Sequence, residues 1–337
     1  MKHLKQTLKA LLLVVLTAGF TSCSDDDDNG NIIEQDTTIA GLVSGSTNFE
    51  ILLAAATRAD LVTTLSTVSD TRLTVFAPND AAFVAYLDVD TEADAIATIN
   101  ALPVATVRNL LLNHVLPTAV TASEVTTGYV KSLAENSTED NLDLYIAVSN
   151  NVVTINGDAE VIEPNVVADN GIIHVVDAVI PEATIATFAT ADSNFSTLLA
   201  AVAQEELAAT LAGTGSFTVF APTNAAFVAL INADPNDGIS SAADILALGN
   251  AGTSTTSVLD NILRHHVLGT AVRAEALSTT GATPATPLFA GGGLSIDATV
   301  TPPTITDGSG TTHDIIATNI TATNGVVHAI DGVLMPE

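Results

Sequence analysis

Four histidines and two aspartates recur at matching places in the two halves of this chain. They are its foremost candidates for chemistry. His114 and His266 close one shared stretch; His174 with Asp177, and His328 with Asp331, lie in another. An imidazole beside a carboxylate is an arrangement suited to general acid–base catalysis, because histidine exchanges protons near neutral pH and a carboxylate can orient it. That reading requires a histidine to meet Asp177 or Asp331 within hydrogen-bond reach of an open cleft. The same residues also suit packing. A buried neutral imidazole donates from one ring nitrogen and accepts at the other, and an aspartate caps a turn or accepts backbone N–H groups. His114 and His266 fall at the C-terminal ends of helical stripes, where an imidazole bonds the last carbonyls. His174 and His328 fall in the middle of apolar runs. Packing is the expectation carried forward; catalysis is the alternative.

Other chemistries find less support. Asp234-Pro235-Asn236-Asp237-Gly238 starts like a calcium loop, but the sixth position is Ile239 and the twelfth Ile245, where glycine and glutamate are required. His265 and His266 are adjacent, so on a helix their side chains diverge by about 100° and do not share one zinc. Neither a G-x-S-x-G elbow, an H-E-x-x-H pair nor a glycine-rich phosphate loop is present. No cofactor or metal is expected.

What must position these residues is a duplicated unit. TVFAPNDAAFVA at 74–85 returns as TVFAPTNAAFVA at 218–229. NLLLNHVLPTAV at 109–120 returns as NILRHHVLGTAV at 261–272, and NGIIHVVDAVI at 170–180 as NGVVHAIDGVL at 324–334. Order is kept, so the chain holds two homologous domains in series. We place them at 32–181 and 185–337, joined by a short linker that makes a semi-rigid pair. Phe76, Phe83, Phe220 and Phe227 read as core anchors. Pro78 and Pro222 end a strand and shape the turn into a helix.

Within domain 1, the pattern predicts a helix from Phe49 capped by Asn48, a short helical stretch over 60–65 and a strand over 73–76. It then predicts a helix capped by Asn79 or Asp80. Val104, Val107, Leu111 and His114 share one stripe of a further helix begun by Pro103 and stopped by Pro117. Strands follow over 143–148, 152–155, 160–162 and 172–180. Asn150-Asn151 and Asn156-Gly157 supply turns between them. Helices first and strands mostly later is the order of an α+β fold. Domain 2 repeats this with inserts at 234–241 and 279–310.

The N-terminus carries an address. Lys2, Lys5 and Lys9 precede an apolar run over 10–20, then Thr21 and Ser22, the pattern of an export signal over 1–22. The lone cysteine, Cys23, follows directly and resembles the lipidated residue of a bacterial lipoprotein. Residues 23–31, with four adjacent aspartates, read as a solvated tether. The expected location is the outer membrane, held by a lipid anchor and facing the cell surface, with the periplasm or secretion as alternatives. Removing residues 1–22 takes away three lysines and no acids, so the formal charge of −29 becomes −32. Nucleic acid is excluded as a partner, because phosphate backbones require Lys and Arg.

The three repeated stretches together resemble the fasciclin domain family, over about 45–182 and 191–337. The resemblance implies, for each copy, a compact wedge or sandwich of about seven strands with several helices. It implies extracellular or surface-anchored members that act in adhesion and in protein or glycan binding, and not an enzyme. Asn113 and His265 stand where animal relatives carry a tyrosine before the histidine, so integrin recognition does not carry over. The expectation is a surface adhesion lipoprotein that contacts an extracellular or envelope protein or polysaccharide. The alternatives are a structural accessory subunit of an outer-membrane complex and a hydrolase built on the repeated His and Asp residues.

Overall fold

The computed structural model describes residues 36–233, 236, 238–249, 257–277, 280–289 and 291–337. The export signal, Cys23, the acidic tether and three residues of the candidate calcium loop (Asp234, Pro235 and Asp237) lie outside them, as does Thr279 at the start of the second insert.

Domain 1 opens with three helices: α1 (Ile39–Ser44), α2 (Glu50–Arg58) and α3 (Val62–Ser66). The strand β1 (Leu73–Pro78) leads into α4 (Asp80–Leu87), α5 (Glu92–Ala101) and α6 (Val104–Leu112). The strands then run β2 (Val115–Leu116), β3 (Gly128–Glu135), β4 (Asn141–Ser149), β5 (Val152–Ile155), β6 (Ala159–Ala168) and β7 (Gly171–Val176). They form one seven-stranded sheet in the order β2-β1-β7-β6-β5-β4-β3. Only β1 and β7 pair in parallel. This central pair is covered on both faces, which is why both strands read as near-continuous apolar runs.

The sheet bends at β6, which breaks register with β7 between Val161 and Glu163 and again before Val166. Such bulges kink a strand and strengthen its twist. Two cores result. Phe83, Val75, Ile173 and Leu111 lie under the helices, while Phe76, Leu144, Ile155 and Val176 fill the space inside the bent sheet. Alternation along β1 sends Val75 and Phe76 to opposite faces. Pro78 costs no ladder bond. Phe76 donates its N–H to the His114 carbonyl on the β2 side, and by the same alternation Pro78 would donate there too, beyond the end of β2.

Domain 2 repeats the plan. Its helices are α7 (Ile185–Ala191), α8 (Ser196–Gln204), α9 (Ala208–Ala212), α10 (Asn224–Ala233), α11 (Ala242–Ala247) and α12 (Val258–His265). Its strands are β8 (Phe217–Pro222), β9 (Val267–Leu268), β10 (Thr283–Ala285), β11 (Leu294–Asp297), β12 (Thr304–Thr306), β13 (Thr312–Ala322) and β14 (Gly325–Ile330). Their order is β10-β11-β12-β13-β14-β8-β9. Phe227 and Phe220 divide between two cores as Phe83 and Phe76 do.

Three local readings need correction. Asn48 does not cap α2, which begins at Glu50. The Asp80 carboxylate does so from another helix, accepting the Glu50 N–H at 3.1 Å and the Ile51 N–H at 2.8 Å. Asp80 is thus spoken for, and Asn79 caps α4, accepting from the Ala82 N–H at 2.9 Å. Val104 leaves the predicted stripe and is 42% exposed. It is the first residue of α6, one turn outside the packed stretch. The last strand is shorter than predicted, stopping at Val176 and not Ile180. Both asparagine turns carry positive φ at two successive residues: 51° and 65° at Asn150 and Asn151, 52° and 78° at Asn156 and Gly157. That geometry matches the twist of the flanking strands.

Candidate functional site

The repeated histidines do not share a site. Each closes on backbone. The His114 ring meets the Leu110 carbonyl with Nδ1 at 2.8 Å and receives the Ile180 N–H on Nε2 at 2.9 Å. His266 does the same with the Ile262 carbonyl, 2.8 Å, and the Leu334 N–H, 2.8 Å. An amide N–H can only donate and a carbonyl only accept, so both rings are neutral and carry their proton on Nδ1. Burial holds both pKa values down, from 6.5 to about 4. The ring thus joins the end of a helix to the segment after the last strand.

His174 and His328 show the opposite tautomer. The Asn165 N–H donates to His174 Nδ1 at 3.2 Å, and Nε2 donates to the Val120 carbonyl at 2.9 Å. In domain 2 the Asn319 N–H and the Val272 carbonyl take these places, at 3.3 and 2.9 Å. Burial lowers these pKa values as well. The rings pack near Phe76 and Phe220, with centroids 5.8 and 5.5 Å away.

The aspartates serve a separate turn. Asp177 Oδ1 accepts the Glu160 N–H at 2.7 Å, and Asp331 Oδ1 accepts the Asp314 N–H at 2.7 Å. Neither is joined to a repeated histidine by any described hydrogen bond. Acid–base chemistry by a His–Asp pair at these positions has no geometric basis. Among the described residues, no three His, Cys, Asp or Glu side chains are placed to hold a metal ion.

Other repeated polar residues do comparable work and escaped the sequence reading. Thr74 donates to the Thr118 carbonyl at 2.7 Å and accepts from the Val120 N–H at 2.8 Å, so Thr74 and His174 together hold both backbone groups of Val120. Thr218 and His328 hold Val272 in the same way. Asn170 and Asn324 each accept one helix N–H and donate to two carbonyls. All four lie inside the repeated stretches. Their recurrence was the available signal.

Within this shared stretch the copies differ at the residue before the first histidine. Asn113 donates to the Ile180 and Pro181 carbonyls, both at 3.1 Å, and accepts from Ser132. His265 replaces it in domain 2, is fully buried, and completes no hydrogen bond of normal geometry. Burial lowers its pKa, which keeps the ring neutral.

A polar junction lies between the domains. The linker is short: Thr184 caps α7 with a reciprocal bond to Thr187. The Ala183 carbonyl accepts the Thr323 N–H at 2.9 Å. β4 runs beside β13. Asp143 Oδ2 accepts the Thr321 N–H at 2.6 Å and pairs with Lys131 Nζ at 2.5 Å; Lys131 also reaches the Thr321 hydroxyl at 2.8 Å. Arg273 joins Asp140 at 3.2 Å and Thr321 at 3.1 Å. Tyr129 stacks edge-on against Phe188, 5.3 Å away, and its hydroxyl donates to Asp192 at 3.1 Å. Beside this junction lies an open groove of about 440 Å³, lined among others by Tyr129, Tyr145, Asp192, Asn194, Thr223 and Ile316. Hydroxyls, an amide, a carboxylate and aromatic rings there suit polar recognition at a domain boundary. The cavities that the buried histidines help line are smaller, about 50 and 100 Å³ beside His266 and about 30 Å³ beside His114. Their linings are almost wholly apolar, and they belong to the core.

Every Lys and Arg among the described residues is engaged within the chain. Arg58, Arg72 and Arg108 donate to carbonyls, Arg264 pairs with Asp260, and Lys131 and Arg273 hold the junction. The outer surface therefore presents acids with few accessible cations.

The Fasciclin domain model matches residues 47–182 and 193–336. "Protein sll1483" of Synechocystis is 36% identical over 155 residues, 42% of this chain and 72% of that protein. Pig "Transforming growth factor-beta-induced protein ig-h3" is 28% identical over 78% of this chain, and human "Periostin" is 28% identical, also over 78%. The chain spans 35% and 28% of the length of those two proteins. A solved FAS1 domain pair from the insect cell adhesion molecule fasciclin I aligns over 88% of this chain and 96% of that one, at 16% identity and a TM-score of 0.48.

Proposed function

The chain belongs to the fasciclin domain family, whose domain it carries twice in series, and from that premise we propose that it is a surface-displayed binding protein. Its lipid anchor is Cys23, and its target is an extracellular or envelope protein or polysaccharide. The single observation that carries this reading is where the repeated chemistry has gone. Histidines that could serve as bases are buried and bonded to backbone at both ring nitrogens, leaving recognition to loops, the strand faces and the interdomain groove. Fasciclin domains are associated with cell adhesion and binding, and the matching family model indicates no catalytic activity.

The test is a glycan array with the purified protein, combined with whole-cell attachment by a strain lacking the gene. Binding to a defined glycan or protein class, with attachment reduced in the deletion strain, is the expected outcome. No binding together with unchanged attachment contradicts the reading. Processing is tested separately: metabolic labelling with an alkyne fatty acid labels the wild type and not Cys23→Ser.

A further inference from the structure

The two domains are packed in series, so their equivalent faces differ in what covers them. In domain 2 the junction centres on Thr321. It is fully buried, its N–H bonds Asp143, and its hydroxyl meets Lys131 and Arg273. The strand registers identify its counterpart in domain 1. Thr321 lies opposite Val326, one residue before the Ala322–Gly325 pair, as Val167 lies opposite Ile172, one residue before Ala168–Gly171. Val167 is 69% exposed and Ile162, on the same strand, 50%. Glu160, Glu163, Pro164 and Asn165 are exposed around them. At Val167 β6 is thus left bare where domain 1 covers β13, with an apolar side chain where the hydroxyl stood; Ile162 is exposed in both copies, as its counterpart Ile316 is 53% exposed.

We propose that this face of β6 is a docking surface for another protein, one that presents a β-strand pair with Lys or Arg beside apolar side chains. The proposal rests on the binding reading above and names the surface and the partner chemistry. The internal junction is its template, since β3 and β4 offer Lys131 beside Tyr129 and Tyr145 to β13.

Charge selects the partner. In domain 2 the shared stretch Thr270-Ala271-Val272 is followed directly by Arg273, which serves the junction. In domain 1 the matching Thr118-Ala119-Val120 is followed by Thr121, so this cation is missing. The exposed ionisable groups of β6 are Glu160 and Glu163. The cations must therefore come from the partner. A second copy of this chain is a poor candidate. Its own β3 and β4 are already covered by β13. In domain 2 the registers put Ser295 and Asp297 where β4 has Tyr145 and Ala147, and no Lys or Arg follows Arg273.

The test places the photo-crosslinker benzoylphenylalanine at Val167 in the intact protein, with Val68, 63% exposed, as the control position. The probe is an envelope extract of the producing cells. The expected result is a crosslink at 167 well above the control, mapped to a partner peptide with Lys or Arg among alternating apolar residues. With the crosslinker moved to Ile162, Val167→Glu should lower the yield by about tenfold or more while the melting temperature stays unchanged. Salt at about 0.5 M should also lower it, because it screens exposed charge pairs. Crosslinks only to other copies of the chain, to an acidic segment, or at the level of the control overturn the proposal. If Val167→Glu captures the partner as well as the wild type, the docking face is wrong and the binding reading stands. If neither captures anything and cell attachment is also unchanged, both fail.

Discussion

His114 and Ile180 lie 66 residues apart in sequence and share one hydrogen bond, from the Ile180 N–H to Nε2 of the ring at 2.9 Å. The other ring nitrogen holds the Leu110 carbonyl. One imidazole thus ties the last turn of a helix to the segment that leaves the final strand, and His266 repeats the arrangement with Leu334. Removing the ring leaves a buried N–H without a partner, which costs about 1–3 kcal/mol, and the void adds to that. His114→Ala and His266→Ala should each lower unfolding free energy by about 2–4 kcal/mol, measured by urea denaturation. Binding by the protein that remains folded should be unchanged.

Acid should weaken the fold through the same rings. Their pKa values fall from 6.5 to about 4 on folding, so the unfolded chain binds protons more readily. Their contribution is complete above pH 6.5 and is lost as pH falls towards 4. Each ring accounts for about 3 kcal/mol over that window. Asp143, whose pKa burial raises, acts in the opposite direction at the acid end. Urea midpoints between about pH 7.5 and 4 check the net slope, which should be positive with pH and shallower in His114→Gln.

The Asp80 carboxylate caps a helix that begins 30 residues earlier. In domain 2, Asn224 accepts the Thr197 N–H at 2.9 Å from the equivalent place. Loss of a cap costs about 1–2 kcal/mol. Asp80→Ala should therefore destabilise domain 1 by that amount, whereas Asp90→Ala, at an exposed carboxylate just beyond the end of α4, should change little. Thermal melts of the two variants provide the comparison.

Asp143 joins the domains through the Thr321 N–H and Lys131. Asp143→Ala removes the acceptor for both. The two domains should then unfold in separable steps, and small-angle scattering should report a broader distribution of interdomain distances. A single calorimetric transition with unchanged scattering would show that the apolar contacts of Tyr129 and Phe188 suffice.

Much of the domain plan was legible because the chain states it twice. The repeated stretches carry β1, the end of α6 and β7, and the asparagine turns announce the hairpins. Other elements left a weaker mark. β3 and β4 meet domain 2 on one face, so Tyr129 and Tyr145 answer to residues far away and not to a local alternation. The cap from Asp80 is invisible to a window centred on Glu50. The junction has no second copy to compare with, because Asp143 and Thr321 are 178 residues apart and meet once. The histidines were legible as recurring features of the repeat, but their two tautomers depend on backbone groups brought in by tertiary packing.

The most direct measurement of the central claim is the ¹⁵N spectrum of the imidazole rings near neutral pH. The account predicts neutral rings, with the proton on Nδ1 in His114 and His266 and on Nε2 in His174 and His328, exchanging slowly with water. Rings that titrate near the ordinary histidine value and exchange freely would contradict it, because they would place these side chains in an open site.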